Sequence, residues 1–301
     1  MSDPMSVATL ATSGHLRFVD RDRGVVTSRL HEESAWVDLR AWPPRLAPLA
    51  DAWTRCAARG PEGRWAALVG WNAQRLLVEE PGGATVEVAL PSKKVGFAAI
   101  GFVGDLLIAV PGPLADGNKS PSLRQAPAPC VARDQKLRPL ALGADCASGD
   151  AWELCGVAPL SSGEALIVWG GRVMRLERDR LERALPFDLP RGHGNFGLSS
   201  VPVGDGFVCA AGHRLAHVRL GASAPSFPVA GLEDVVAVAP FGDEIVLTTV
   251  GPLRHHVVDP RTWAVRTLDT RAMGDVDFSV WRTSVGVVAS SAAGDGLRRL
   301  T

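Results

Sequence analysis

Tyrosine is absent from this 301-residue chain, and only 4 of its 32 basic residues are lysine. With no tyrosine, tryptophan and phenylalanine must supply all the large aromatic packing, and each buried indole N–H needs a partner. The arginine excess reads as the codon bias of a GC-rich genome. Net charge is missing too, at 32 basic against 32 acidic residues, which argues against a nucleic-acid binder with its basic surplus. No apolar run approaches the roughly 20 residues of a membrane helix. The first residues, MSDPMSVATLATSGHLRF, have no basic segment followed by a long apolar one, so no signal peptide is expected. The five cysteines, at 56, 130, 146, 155 and 209, include no C-x-x-C pair. They read as small buried hydrophobes in a reducing, cytoplasmic compartment. G-x-S-x-G and G-x-x-x-x-G-K-[ST] are also absent, which removes the local signatures of a nucleophile elbow and a P-loop.

What is present is a repeat. An apolar residue, Gly, an acid, an apolar run and a closing turn recur in FVGDLLIAVPG (102–112), SSGEALIVWGG (161–171), PVGDGFVCAAG (202–212) and PFGDEIVLTTVG (240–251). Weaker copies stand at Gly63 and near Thr283. Intervals cluster near 40 residues, apart from the long step between Gly104 and Gly163. Each copy is a unit that cannot bury its own faces, and several strands per 40 residues is the signature of a propeller.

Hairpin patterns flank the anchors, at 15–30, 73–90, 171–185 and 253–268, with apolar residues two apart around a polar turn. A further strand is expected before each anchor. The expected fold is therefore all-β: a single β-propeller domain over 1–301, of about seven blades with mostly four antiparallel strands. Incomplete N- and C-terminal pieces, about 5–30 and 275–300, are expected to pair and close the ring. Two insertions break the rhythm. In 43–60, Leu46, Leu49, Ala50, Trp53 and Ala57 stand at helical spacing after Pro43 and Pro44, predicting a short amphipathic helix. The Pro-rich stretch 111–135 predicts one long loop. VVDPRTWAVRTLDT (257–270), with Asp-Pro-x-Thr in its turn, resembles the blades of quinoprotein-like and YVTN-type β-propellers. The resemblance implies a fold and no particular activity.

Candidate chemistry is sparse. GHGNFG (192–197) matches G-x-G-x-x-G in form, but a strand-like segment follows where a dinucleotide site needs a helix. Its surroundings still make Arg191, His193 and Asn195 the polar loop to consider for a ligand. His213 and His217 on one strand face stand about 13 Å apart at ~3.3 Å per residue, too far to share a metal. The adjacent His255 and His256 point to opposite faces. Asp105, Glu164, Asp205 and Asp243 recur after the anchor residues and read as hairpin-turn residues before they read as a carboxylate ring. Trp36, Trp42 and Trp53 lie in a Trp- and Arg-rich stretch of the kind that makes interface hot spots, and are the candidate partner-binding residues.

These readings point to a cytoplasmic, non-catalytic scaffold for protein–protein interaction, a monomer or part of a hetero-complex. No catalytic residue, metal or cofactor is expected, and neither a nucleic-acid nor a membrane partner. The alternative is a propeller enzyme or small-ligand binder with a site at the mouth of its central channel.

Overall fold

The computed structural model describes residues 15–18, 20–27, 33–70, 74–92, 95–112, 124–125, 128–146, 154–191, 198–270, 276–291 and 297–300. It is all-β, and seven of its eight sheets are the blades of a β-propeller, the eighth being a two-stranded parallel pair. Each blade is an antiparallel meander in chain order. Blade 1 comprises His15–Phe18, Arg23–Thr27, Ser34–Asp38 and Arg45–Ala50, and blade 2 comprises Thr54–Arg59, Trp65–Val69, Arg75–Glu79 and Thr85–Val88. Blade 3 is Ala99–Val103, Leu106–Val110, Cys130–Arg133 and Lys136–Pro139. Blade 4 is Gly156–Pro159, Ala165–Trp169, Arg172–Glu177 and Arg180–Asp188, with Ala141–Leu142 added parallel at its edge. Blade 5 has three strands, Ser200–Val203, Gly206–Ala211 and Arg214–Arg219. Blade 6 has four, Val235–Phe241, Glu244–Thr249, Arg254–Val258 and Val265–Thr267; blade 7 has three, Val276–Thr283, Gly286–Ser291 and Leu297–Leu300.

The repeated apolar run is the second strand of a blade. Trp65–Val69, Ala165–Trp169 and Gly206–Ala211 are buried along their whole length, as a strand covered on both faces must be. The fourth strands carry the polar pattern: Val265–Thr267 is wholly exposed and Arg45–Ala50 nowhere buried.

The chain forms two compact units, Arg55–Val238, and Met1–Thr54 together with Ala239–Thr301. In the first, side-chain alternation sends neighbouring residues into different cores. Leu107 and Ala109 pack with Leu68, Leu76 and Phe97 of the blade 2 side. Ile108 and Val110 pack with Ile167 and Trp169 of blade 4. Leu166 and Val168 turn the other way, onto Phe207 and Cys209 of blade 5. Blades approach closely here: a Cβ on Gly101 would lie 2.4 Å from the Val157 Cβ. Polar clamps lock the same seams. Gln74 donates to the Phe97 carbonyl at 2.9 Å and accepts from its N–H at 2.7 Å, both buried. At the blade edges Ala89 N–H donates to Gln135 and Leu137 N–H to Ala89, while Ala141 and Gly143 donate to Asp179 and Leu181. These bonds cover edges that would otherwise invite another chain.

In the second unit, Val26, Ala35 and Val37 of blade 1 pack against Val288 of blade 7. Val280 and Ala289 pack with Phe241, Val246 and Val257 of blade 6. Asp22 accepts from both the N–H and the hydroxyl of Ser284, at 2.7 and 2.6 Å, tying the first blade to the last.

Three expectations are corrected. The helix over 43–60 does not exist: the segment is the last strand of blade 1 and the first of blade 2. Proline is tolerated at 48 because Arg45–Ala50 is the edge strand of its sheet, where a missing N–H costs no ladder bond. The pairing slips between Ser34 and Ala35 to seat it. The N-terminal piece is not a fragment sharing a sheet with the C-terminus. Residues 34–50 complete it, so the hairpin at 15–30 is the first and second strands of its blade, where the other three are the third and fourth. The loop over 111–135 is shorter than expected, since Cys130–Arg133 is a blade strand and Arg124–Gln125 pairs parallel with Val95–Gly96; residues 113–123 and 126–127 lie outside the described residues.

Replacing Gln74 by Ala strands the buried Phe97 N–H and carbonyl, so unfolding free energy should drop by about 2–6 kcal/mol from two orphaned groups at ~1–3 kcal/mol each. Urea denaturation measures it, and a loss below about 0.5 kcal/mol would show the clamp to be idle.

Candidate functional site

The anchor carboxylates are turn residues. Val103 pairs with Leu106 and Val203 with Gly206, leaving Gly104-Asp105 and Gly204-Asp205 as two-residue hairpin loops. The glycines take φ of 55° and 58° at the first central position, the backbone that suits a tight hairpin and disfavours a side chain. Asp105, Glu164, Asp205 and Asp243 are all exposed. Among the described residues no cluster of His, Cys, Asp and Glu could hold a metal ion.

Three of the thiols are held in their protonated form by burial. Burial pushes the Cys130 and Cys209 thiols up to about 12 and raises Cys146 as well. A nucleophilic cysteine needs the opposite shift, since the thiolate reacts. His255 is buried with Nδ1 3.1 Å from the Thr248 hydroxyl, while His256 places its Nδ1 3.3 Å from the Thr267 hydroxyl. The two rings leave the strand on opposite faces, as their adjacency requires. His213 sits in a turn at φ 59°, and His217 lies within the following strand.

Of the ligand candidates, Arg191 is exposed and its carbonyl accepts from Gly212 N–H at 2.8 Å; His193 and Asn195 lie outside the described residues. Of the three tryptophans, Trp36 and Trp53 are buried, with the Arg23 guanidinium 4.5 Å from the Trp36 ring centre. Trp42 is only half-buried. It sits in the loop between the third and fourth strands of blade 1, packed against the buried cluster of Val26, Ala35, Val37, Leu39 and Val288, with Arg299 5.5 Å from its ring centre. Around it the loop is charged. Arg40 bonds Asp38 through Nε and Nη2 at 3.0 and 2.5 Å, and that guanidinium holds the Asp38 carboxyl below the usual carboxylate range. Asp38, Arg40, Ala41 and Arg45 line a cleft of about 290 Å³. An aromatic ring with one face braced and a cleft beside it, rimmed by arginine, can dock a protein surface. The Trp/Arg composition was legible in the sequence; which tryptophan kept its surface was not, because a strand replaced the expected helix.

No known family profile matches the chain, and no curated protein sequence matches it. Solved structures do. The chain is similar to virginiamycin B lyase from Staphylococcus aureus, with TM-score 0.62 and 12% identity over 95% of this chain and 94% of that one. It is similar to the WD40 β-propeller domain of Doa1, with TM-score 0.59 and 11% identity over 94% and 89%. A puromycin-hydrolysing peptidase of Mycobacterium tuberculosis gives TM-score 0.59 and 17% identity, and the chain covers 54% of it. Against PorZ of Porphyromonas gingivalis it spans 36% of the partner's length, at TM-score 0.54 and 10% identity. At these identities the likeness is one of fold.

His217 and His256 link stability to pH. Desolvation first, and then Arg219 and Arg254 respectively, lower both imidazoles from 6.5. The folded chain thus favours the neutral rings, and the unfolded chain binds more protons once pH falls below 6.5. Their stabilisation is complete above that value and declines as pH falls. The urea midpoint should drop between about pH 7.5 and about pH 5, and less so in a His217→Gln/His256→Gln variant; an identical pH slope in both proteins would refute the linkage.

Proposed function

We propose that the protein is a non-catalytic β-propeller that serves as a cytoplasmic platform for a protein partner, docked at the Trp42 loop of blade 1. The observation that carries this reading is the half-buried, Arg299-braced Trp42 beside an arginine-rimmed cleft. Three supports stand beside it. The recurrent carboxylates lie in the hairpin loops, three of the cysteines have raised thiol pKa values, and among the described residues no disulfide joins the cysteines, which suits a reducing compartment. A likeness to a WD40 domain accords with the reading. The lyase and peptidase likenesses favour an alternative, an enzyme or small-ligand binder with a site at the mouth of its central channel and Arg191, His193 and Asn195 as its candidate residues.

The test is capture of partners by wild type and by Trp42→Ala, followed by calorimetric titration of the partner found. A hot-spot tryptophan contributes at least about 2 kcal/mol, roughly a 30-fold loss of affinity on truncation. Equal capture and equal affinity, with both proteins folded, would remove the Trp42 loop from the interaction.

A further inference from the structure

Blade 4 carries an arginine whose hydrogen-bonding capacity its own chain does not use. Arg172 opens the third strand opposite Asp188, and the pairing then slips, with Met174 opposite Arg183. Residues 184–187 thereby bulge out opposite Val173 alone, a distortion that commonly re-aims side chains beside binding sites. The bulge borders a cavity of about 490 Å³ lined by Ala144, Asp145, Arg172, Arg183 and Pro186.

The neighbouring charges are already engaged. Arg183 donates from Nη2 to Asp188 Oδ1 at 2.5 Å and from Nε to the Leu185 carbonyl at 2.8 Å. Arg180 pairs with Glu182 at 2.7 Å. Among the described residues the Arg172 side chain donates no hydrogen bond: Asp188 Oδ2 stands 4.0 Å from Nε, and both Nε and Nη1 are shielded from water without a hydrogen bond. The side chain is only 21% exposed. A guanidinium donor kept from water and left unmatched is costly, and such groups are rare enough in folded proteins to call for a reason.

We propose that this cleft binds a carboxylate ligand, which Arg172 grips as the missing acceptor while Asp145 receives an N–H of the same ligand. A monoanion fits better than a phosphate dianion, because Arg172 and Arg183 are already balanced by Asp145 and Asp188 around the cavity. Guanidinium matches the planar two-oxygen geometry of a carboxylate. Ala144 and Pro186 offer the apolar wall that an aliphatic stem would lie against. The site is in blade 4 and stands or falls independently of the Trp42 loop. The carboxylate is either an acidic side chain of a peptide or a free small acid.

The test is amide-shift titration of the full-length protein at constant ionic strength. Its probes are acetyl-Ala-Glu-Ala-amide, N-acetyl-β-alanine (a small monoanionic acid with one amide N–H) and, as control, acetyl-Ala-Gln-Ala-amide. Saturable shifts at Asp145, Arg172 and Arg183 are expected from a carboxylate probe and none from the glutamine peptide. Tighter binding of the peptide marks a protein source, and tighter binding of N-acetyl-β-alanine a small acid. Arg172→Gln should weaken binding at least about tenfold, and Arg172→Lys, which keeps the charge without the fork, should weaken it less. Because no internal bond is lost, the Tm of Arg172→Gln should match or exceed that of wild type. A clear fall in its Tm would make Arg172 a structural residue, and absent saturation, or equal responses in wild type and Arg172→Gln, would likewise overturn the proposal.

Discussion

Stability in this protein depends on the second strand of each blade being covered on both faces. The alternation of side chains along such a strand divides its residues between two cores. Leu107 and Ile108 are adjacent in sequence yet serve different seams, as do Leu166 and Ile167. Truncating one such side chain to alanine costs about 2–5 kcal/mol, whereas an exposed ion pair is worth about 0–1 kcal/mol. The many arginine–carboxylate pairs of the described surface, among them Arg75–Glu87 and Arg266–Glu244, are therefore secondary to the strand cores.

Hydrophobic burial does not by itself fix how one sheet is seated on the next. Polar bonds, buried in the case of Gln74 and Phe97, supply that specificity at several seams. Gln74 on Phe97, Arg55 on the Ala98 carbonyl and Ser199 on the Val238 N–H each join residues of successive blades or of the connections between them. Asp22 does the same for the chain ends by holding Ser284. A slipped or rotated packing would leave the buried Phe97 N–H and carbonyl unpaired, and the desolvation cost of an unpaired buried group is larger than the net value of the bond it made.

The repeat was legible because its second strand must be apolar throughout and its first turn must be tight. These two requirements write the same Gly-acid-apolar phrase at 104, 204 and 242. The first blade was less legible for a physical reason. Its first hairpin bends at residues 20–22, which hold no glycine, and Gly24 falls inside the second strand, so the Gly-acid phrase is absent. Its edge strand, RLAPLA, is exposed and carries none of the buried alternation that identifies a strand. The spacing of Leu46, Leu49 and Trp53 then imitated a helix, although only Trp53 of the three is buried. The candidate site was legible in composition alone. Sequence distinguishes a Trp- and Arg-rich stretch, but burial decides which ring is core and which is surface.

A fold stabilised by blade seams leaves its loops and edges under few constraints, and the uses of arginine here reflect that. On Trp36 the Arg23 guanidinium stacks at 4.5 Å over a ring that is already buried, and it adds packing to a core. On Trp42 the Arg299 guanidinium braces a ring that remains half in solvent, and the same contact restricts the ring's motion before any partner arrives. Restricting a side chain in advance lowers the ordering cost of association, about 0.5–1.5 kcal/mol for each immobilised side chain. The blade 4 bulge works in a related way: it holds Arg172 in place while withholding an acceptor from it. Both features cost the folded state little beside the seam cores, because neither lies on a fully covered second strand.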